Sequence, residues 1–265
     1  MRSRMNLLVS GDVHGHLDWL FEVVPKVEAG AGCRVAGLLL AGDLAAFGAA
    51  SHIDRATRVR AAEDPAQLGM MPYMEGSKRS PLPVLCVRGN HEDHDLVERL
   101  GRYLDPFQKI ERILDGHVVS WHGLKIAGLG RIARPPNSKQ RSDKRHYFVQ
   151  SEVDRLLRAE GPVDILLCHD GPVGYCLSSD SRAGSEEILR IVRHLAPRLT
   201  LFGHYHSPCR PQKMDDGWIV PLNQHDVLEI PGQHSGIGLF DLETGEFRFL
   251  DPNFSLVSVD GALPR

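Results

Sequence analysis

The chain has 265 residues, of which 42% are hydrophobic and 25% are charged. This length suits one substantial core and is too short for two ordinary α/β domains, and the composition excludes a disordered chain. The net charge of −3 does not support a strongly basic nucleic-acid binder. We therefore expect a single domain over residues 1–265. The 14 histidines are the most informative feature, because several lie beside Asp, Asn or Gly at the ends of apolar runs.

The lack of targeting patterns in the sequence and the placement of its cysteines both bear on where the protein is located. No apolar run approaches the roughly 20 residues that span a bilayer. The N-terminus runs directly into a strand pattern without a cleavage site, so we expect neither a membrane span nor a signal peptide. The five cysteines form no Cys-x-x-Cys pair, and three of them lie in apolar segments. These features predict reduced core thiols and a cytoplasmic protein.

The first part of the chain alternates strand-like and helix-like segments. Asn6–Ser10 is an apolar run typical of a buried strand. The helix predicted next, Leu17–Ala29, is expected to end at Gly30. A second buried strand is predicted at Val35–Ala41. This βαβ pattern implies parallel pairing of the two strands.

Residues 44–81 form an excursion between two predicted strands. The segment contains a helical pattern at Ile53–Glu63 and a Gly-, Met- and Pro-rich stretch. We interpret it as a cap or insert over the edge of the sheet. A third strand is predicted at Pro83–Arg88, followed by a helix at Glu92–Leu104.

The second half is richer in strand patterns. His117–Trp121 and Leu124–Leu129 flank His122-Gly123, which predicts a hairpin. A polar, basic loop follows at 131–145. Beyond it we predict helices at Ser151–Ala159 and Ser185–Leu195, and strands at Val163–Cys168, Leu199–Phe202, Gly217–Leu222, Gly236–Leu242 and Glu246–Leu250.

Five of the predicted strands end in residues of one chemical kind. In an open α/β sheet, groups at the C-terminal strand ends converge in one crevice. Imidazole, carboxylate and amide oxygen together suit Mn, Fe, Zn, Co or Ni better than Mg alone. A lone histidine at a strand end is more often a boundary residue, so the prediction of a metal site rests on all five blocks together. The blocks are Gly11-Asp12-Val13-His14, Gly42-Asp43, Gly89-Asn90-His91-Glu92, Cys168-His169-Asp170 and Gly203-His204-Tyr205-His206.

In this order the five blocks resemble the calcineurin-like metallophosphoesterase superfamily, over about Asn6 to Leu222. The resemblance implies an α/β fold, a four-layer α/β/β/α sandwich of mixed sheets with a dinuclear metal site at the C-terminal strand ends. It implies two divalent ions as cofactors, with Mn, Fe, Zn and Ni as candidates. Asp43 would bridge the two ions. The first ion would be held by Asp12, His14, Asp43 and His206, and the second by Asp43, Asn90, His169 and His204.

The resemblance also implies a mechanism. A metal-bridging hydroxide would attack the phosphorus in line, and the two ions would offset the charge that develops on the phosphoryl oxygens. His91 would not bind metal. It would contact the scissile phosphate and act as the acid that protonates the leaving oxygen.

The second block departs from that of the protein serine/threonine phosphatases. That branch continues Asp-x-x-Asp-Arg-Gly, with an Asp that orients the catalytic His and an Arg that holds the phosphate, whereas this chain has Ala46 and Phe47 there. A dianionic monoester gains more from a bidentate Arg than a monoanionic diester does. The later blocks are similar to class III phosphodiesterases and to RNA lariat-debranching enzymes, although the latter carry Cys where this chain has Asp12. The group that orients His91 is left open.

The predicted substrate is a nucleotide or nucleic-acid phosphodiester. Four side chains are expected to bind it: Arg131 and Arg134 from the basic loop, together with His16 and His225. For the loop, a purely solvated role is the alternative. For the whole chain, the alternatives are a phosphomonoesterase or pyrophosphatase, and a non-catalytic scaffold on the same fold. We make no prediction of the oligomeric state.

Overall fold

The computed structural model describes residues 4–48, 52–134, 144–175, 183–206, 210–227 and 235–257. Most of the predicted basic loop (135–143) lies outside these ranges, as do Cys176 and Cys209. The helices are α1 Leu17–Ala31, α2 Arg55–Glu63, α3 Met71–Met74, α4 His94–Leu100, α5 Gln150–Leu156 and α6 Glu186–Leu195. The strands are β1 Met5–Ser10, β2 Arg34–Leu40, β3 Val84–Cys86, β4 Ile110–Arg112, β5 His117–Trp121, β6 Leu124–Leu129, β7 Ile165–Cys168, β8 Leu199–Phe202, β9 Gln212–Met214, β10 Gly217–Pro221, β11 Ile237–Asp241, β12 Phe247–Leu250 and β13 Leu256–Val257.

The strands form two mixed sheets. The first has the order β13-β12-β11-β1-β2-β3-β4, and the second has the order β5-β6-β7-β8-β10-β9. In the first sheet β1, β2, β3 and β4 run parallel, and in the second β6, β7, β8 and β10 run parallel. The C-terminal ends of β1, β2 and β3 therefore lie along one edge of their sheet, and those of β7 and β8 along one edge of theirs.

Three apolar interfaces hold the layers together. On β2, Leu38 packs with Leu20 of α1, whereas its neighbour Leu39 packs with Leu201 of the second sheet. The alternation follows from the two-residue period of a strand whose faces are both covered. On the far side of the second sheet, Leu166 packs against α5 and α6. The layer order helix, sheet, sheet, helix confirms the predicted α/β/β/α sandwich.

Several helix boundaries differ from the sequence prediction: α2 begins at Arg55 rather than Ile53, α4 ends at Leu100 rather than Leu104, and α5 ends at Leu156 rather than Ala159. Helix α1 does not end at Gly30. It continues to Ala31 and ends at Gly32, which has a left-handed φ of 63°, a conformation that glycine adopts without steric cost. Helix α4 begins only at His94, because Asp93 accepts a hydrogen bond from the backbone N–H of Leu96 at 3.0 Å and caps the helix.

The segment at 44–81, predicted to be a cap or insert over the sheet edge, also supplies a helix and part of the apolar core. Its helix α2 begins at Arg55, after the capping residue Asp54. Further along, Met70 and Tyr73 are buried in the apolar interface beneath α1. Within the described ranges, none of the helices has the length and apolar character needed to cross a membrane.

Candidate metal centre

The predicted ligands from four strand ends converge on one buried cluster. Asp12 follows β1 and Asp43 follows β2, and the ring of His169 lies between their carboxylates, 3.7 Å from Asp12 Oδ1 and 3.4 Å from Asp43 Oδ1. His206, after β8, is hydrogen bonded to Asp12. His14 Nε2 lies 3.9 Å from Asp43 Oδ2. Two groups have donor atoms close enough to hold a metal ion: Asp12, His14 and His206, and Asp12, Asp43 and His169.

Asn90 and His204 complete the set of seven. The side-chain oxygen of Asn90 lies 3.0 Å from His169 Nε2. The ring of His204 packs edge-on to that of His169, with 5.2 Å between their centres. The structure thus brings all seven predicted ligands together, and their division between two ions stays a prediction.

Glycines allow the chain to approach the carboxylates closely. A Cβ on Gly89 would lie 1.9 Å from Asp43 Oδ1, and a Cβ on Gly203 would lie 2.1 Å from Asp12 Oδ1. Neither position has room for a side chain. The glycines that precede Asn90 and His204 in the sequence are therefore required by packing against the neighbouring ligand.

Four of the predicted ligands have a backbone conformation that non-glycine residues rarely adopt. The φ angles are 43° at His14, 47° at Asp43, 71° at His204 and 44° at His206. Hydrogen bonds of the backbone hold three of them there: His14 N–H donates to Asp43 O at 2.7 Å, and His204 N–H donates to the Asp12 carboxylate at 3.0 Å. Strained residues of this kind cluster at functional sites, where the surrounding structure fixes them.

The ionisation of two carboxylates and one histidine of the cluster matches what metal ligation requires, whereas the charges of Asp43 and Asp12 outweigh burial and raise the pKa of His169. Burial raises the pKa of a carboxyl, but the hydrogen bond from His206 and the charges of His169 and His206 together outweigh it and lower the pKa of Asp12. At Asp43 the charges of His169, His91 and His14 and a backbone hydrogen bond from His91 together outweigh burial, and the pKa is lowered. Burial lowers the pKa of His14 to about 4. Charged carboxylates and a neutral imidazole are the forms in which these groups bind metal.

Two observations show that the residues fit a metal ion. Among the described residues, neither ring nitrogen of His14 has a hydrogen-bond partner, although the side chain is only 1% exposed. A buried polar atom without a partner is costly, and a metal ion would satisfy one of these nitrogens. Nδ1 of His169 donates to the carbonyl oxygen of Ala41 at 2.9 Å. That hydrogen bond directs Nε2 towards the Asp43 and Asn90 oxygens, a usual arrangement for a metal-binding histidine.

His91 lies next to this cluster and is held by a residue that the sequence analysis did not identify. Its Nδ1 is 3.1 Å from Oδ2 of Asp54, and its ring centre is 5.9 Å from that of His14. Burial lowers the pKa of His91, but the hydrogen bond to Asp54 and the charge of Asp43 outweigh it and raise the pKa to about 9. Asp54 thus orients His91 and favours its protonated form. The only signal in the sequence was an Asp three residues before Thr57, as expected of a helix cap.

Glu92 is a second residue whose function the sequence did not indicate. Its buried carboxylate accepts backbone hydrogen bonds from Leu44 at 2.9 Å, Ala46 at 2.6 Å and Gly89 at 3.1 Å. Burial and the charge of Asp43 raise its pKa to about 7. The side chain connects the loop after β2 to the loop after β3, and so fixes Asp43 relative to Asn90.

The two predicted arginine contacts have different environments. The side chain of Arg131 is 7% exposed, its guanidinium is hydrogen bonded to Glu152, and it lies 3.6 Å from Asp115. Arg88 contacts the same Asp115 carboxylate at 2.6 Å. These contacts favour a structural role for Arg131 over the predicted substrate contact. Arg134 is exposed at the end of the described range.

His16 and His225 stack on each other beside the cluster. Their ring centres are 4.5 Å apart. His225 is 2% exposed, and its backbone N–H donates to Asp12 O at 3.1 Å, so it packs behind a predicted ligand. His16 is more accessible and lies 3.0 Å from the carboxylate of Asp64. A substrate contact stays a prediction for both, and their environment favours it for His16.

Comparison with known proteins identifies the family. The family model of calcineurin-like phosphoesterases matches residues 5–208. The chain belongs to this family. It is 27% identical over 176 residues to lariat debranching enzyme A of Xenopus laevis, an alignment that covers 60% of this chain and 32% of the relative. The chain therefore spans about a third of that protein's length.

Solved structures support the same fold. A dimetal phosphatase from Danio rerio matches with a TM-score of 0.57 and 16% identity, covering 93% of this chain and 95% of that one. The protein TT1561 of Thermus thermophilus matches with a TM-score of 0.55 and 18% identity, covering 94% and 99%. Family membership confirms the resemblance to calcineurin-like phosphoesterases that the sequence predicted.

Proposed function

We propose that this phosphoesterase is a phosphodiesterase that acts on a nucleotide or nucleic-acid phosphodiester with two divalent ions. The observation that carries the proposal is the cluster of predicted ligands, five of which have donor atoms close enough to hold a metal ion, with His91 beside it, held by Asp54 at 3.1 Å. As in the sequence prediction, Asp12, His14, Asp43 and His206 hold the first ion, and Asp43, Asn90, His169 and His204 hold the second. We take manganese as the first ion to test.

The bound ions supply charge for the phosphoryl oxygens and an activated water. The remaining steps fall to the chain's own groups. The Asp43 carboxylate lies 3.9 Å from His14 and 3.4 Å from His169. Two backbone N–H groups, of Asn90 at 2.8 Å and His91 at 2.9 Å, fix its Oδ1. Asp54 occupies Nδ1 of His91, which leaves Nε2 to donate a proton to the leaving oxygen. His91 is therefore the proposed catalytic acid.

A diester is favoured by the residues that replace the phosphatase Asp and Arg. Ala46 and Phe47 are fully buried, and Phe47 packs with Ala45 and Ile53 in an apolar group. No cation projects from this position towards the phosphate. A doubly charged monoester would lose more from this replacement than a singly charged diester.

The proposed setting is the cytoplasm. Cys33, Cys86 and Cys168 are buried and carry free thiols, as suits a reducing compartment. Two of them, Cys86 and Cys168, have pKa values raised by burial, so their thiols stay protonated and unreactive.

Parallel assays of two aryl phosphates test this proposal. The protein is stripped of metal, reloaded with Mn²⁺ and given a bis-aryl phosphate diester and the matching monoester. We expect turnover of the diester to exceed that of the monoester, and His91→Ala to reduce turnover about a hundredfold or more, as is typical when a general acid is lost. Preferential hydrolysis of the monoester would contradict the diester assignment, and absence of hydrolysis of either compound would contradict catalysis.

A further inference from the structure

Helix α2 forms one side of the candidate site, because both of its ends contact histidines there. At the N-terminal end, Asp54 lies 3.1 Å from Nδ1 of His91. Just past the C-terminal end, Asp64 lies 3.0 Å from Nε2 of His16. The helix therefore extends across the site from the proposed acid to the histidine beside the metal cluster.

The helical period places Arg60 on the side of α2 that faces the site. Thr57 is fully buried and its hydroxyl donates to Asp54 at 2.7 Å, so it marks the inner side. Successive helical residues are rotated by about 100°, which puts Arg60 within about 60° of Thr57. Arg55 falls about 160° from Thr57, on the opposite side.

Arg60 has the environment of a cation available to a ligand. Its side chain is exposed, and among the described residues it forms no ion pair. On this side of α2, Arg60 follows Thr57 by about one turn and lies one turn before Asp64, whose carboxylate contacts His16. The guanidinium can therefore reach the site, and it has no carboxylate of the described residues to bind.

We propose that Arg60 is a substrate-binding residue whose guanidinium holds a non-bridging oxygen of the phosphoester. This inference rests on the proposed function, and it deepens it by assigning a role to the insert at 44–81. Helix α2 then supplies, through Arg60, one cation for the singly charged diester, from a place other than that of the phosphatase Arg. Through Asp54 it supplies the carboxylate that orients His91.

The charge of the substrate matches this arrangement. A phosphodiester has one negative charge shared by two non-bridging oxygens, and a single guanidinium can donate two parallel hydrogen bonds to such a group. A lysine in the same place would keep the positive charge and lose the paired donors. We therefore expect Arg60→Lys to behave as an intermediate between the wild-type protein and Arg60→Ala.

The experiment measures phosphate binding as well as catalysis. Inorganic phosphate is titrated calorimetrically into the Mn²⁺-loaded wild-type protein and into Arg60→Ala, Arg60→Lys and Arg55→Ala. The Arg55 variant is the matched control, because it removes one positive charge from the opposite side of the same helix. The KM and kcat for the aryl diester are measured on the same samples. Thermal unfolding confirms that each variant is folded.

We expect Arg60→Ala to weaken phosphate binding and to raise KM, each by about tenfold or more, as for the loss of a charge-assisted contact. Arg55→Ala should match the wild-type protein in both measurements. Equal phosphate affinity for Arg60→Ala and Arg55→Ala would overturn the inference, even if the diester is hydrolysed. If the wild-type protein hydrolyses nothing, the proposed function fails, and the phosphate titration still decides the role of Arg60.

Discussion

Asp54 illustrates how one side chain can serve both folding and catalysis. It accepts a hydrogen bond from the backbone N–H of Thr57 at 3.0 Å, which caps α2, and its other oxygen holds His91. An Asn at this position keeps the cap, because Asn and Asp are equally good capping residues. It removes the negative charge that favours the protonated ring of His91.

We predict that Asp54→Asn lowers kcat for the aryl diester by about tenfold or more with little change in KM, because the proposed acid is less well oriented and less often protonated. The unfolding midpoint should stay near that of the wild-type protein. Asp93→Asn is the control, since Asp93 also caps a helix and contacts a histidine, His52 at 2.8 Å. A wild-type kcat in Asp54→Asn would show that Asp54 does not act through His91.

At the residue scale, the candidate metal ligands can be predicted from the sequence more readily than the residues that hold them in place by hydrogen bonds. His14, Asp43 and His169 could be predicted as site residues because each follows an apolar strand within a recognisable block. Asp54 and Glu92 could not be assigned their roles, because their partners lie 37 and 48 residues away in the chain. Such pairings depend on how the loops pack, which no local pattern records.

At the scale of elements, the loops after β2 and β3 behave as one unit. Glu92 joins them with three backbone hydrogen bonds to one buried carboxylate. Glutamine at this position has a single acceptor oxygen, so it cannot make all three contacts and it places an amide group beside backbone N–H donors. The unit should therefore loosen when this side chain is changed.

At pH 8, above its raised pKa of about 7, Glu92 is mostly ionised, and we expect Glu92→Gln to reduce the free energy of unfolding there by about 2 kcal/mol, the range for hydrogen bonds to a charged group. Urea denaturation of the metal-free protein measures this. The same variant should bind Mn²⁺ more weakly, since Asp43 and Asn90 lie on the two loops that Glu92 connects. Glu22→Gln, at an exposed position of α1, provides a control that should change neither quantity. An unfolding free energy equal to that of the wild-type protein would contradict this role of Glu92.

A helix or strand boundary can be predicted from the sequence when neighbouring residues determine it, and not when distant residues do. Helix α6 was predicted from Ser185, which caps it in the structure: its hydroxyl accepts from the backbone N–H of Ile188 at 3.2 Å within the same turn. Helix α4 was predicted to begin too early, at Glu92. That residue lies before the helix, because its carboxylate accepts hydrogen bonds from the backbone of the loops after β2 and β3. Strand β4 was missed because it is only three residues long and pairs with β3, 24 residues earlier at the closest.

At the scale of the molecule, the sandwich explains why distant blocks meet. Two sheets pack face to face through Leu39 and Leu201, and the C-terminal ends of β1, β2, β7 and β8 bring Asp12, Asp43, His169 and His206 together. Parallel strands place the ends of β1 and β2 along one edge of the first sheet, and those of β7 and β8 along one edge of the second. That the two edges meet was implied by the family resemblance of the five blocks. What substrate the crevice accepts depends on side chains such as Arg60, outside those blocks.

The central claim is that this crevice binds divalent metal through Asp43 and its neighbours. The most direct measurement is a calorimetric titration of Mn²⁺ into the metal-stripped wild-type protein and into Asp43→Asn, with thermal unfolding recorded at each metal concentration. We predict two ions per chain for the wild-type protein, a higher unfolding midpoint on binding, and loss of at least one ion in Asp43→Asn. Equal binding by both proteins, or no binding by the wild-type protein, would contradict the account.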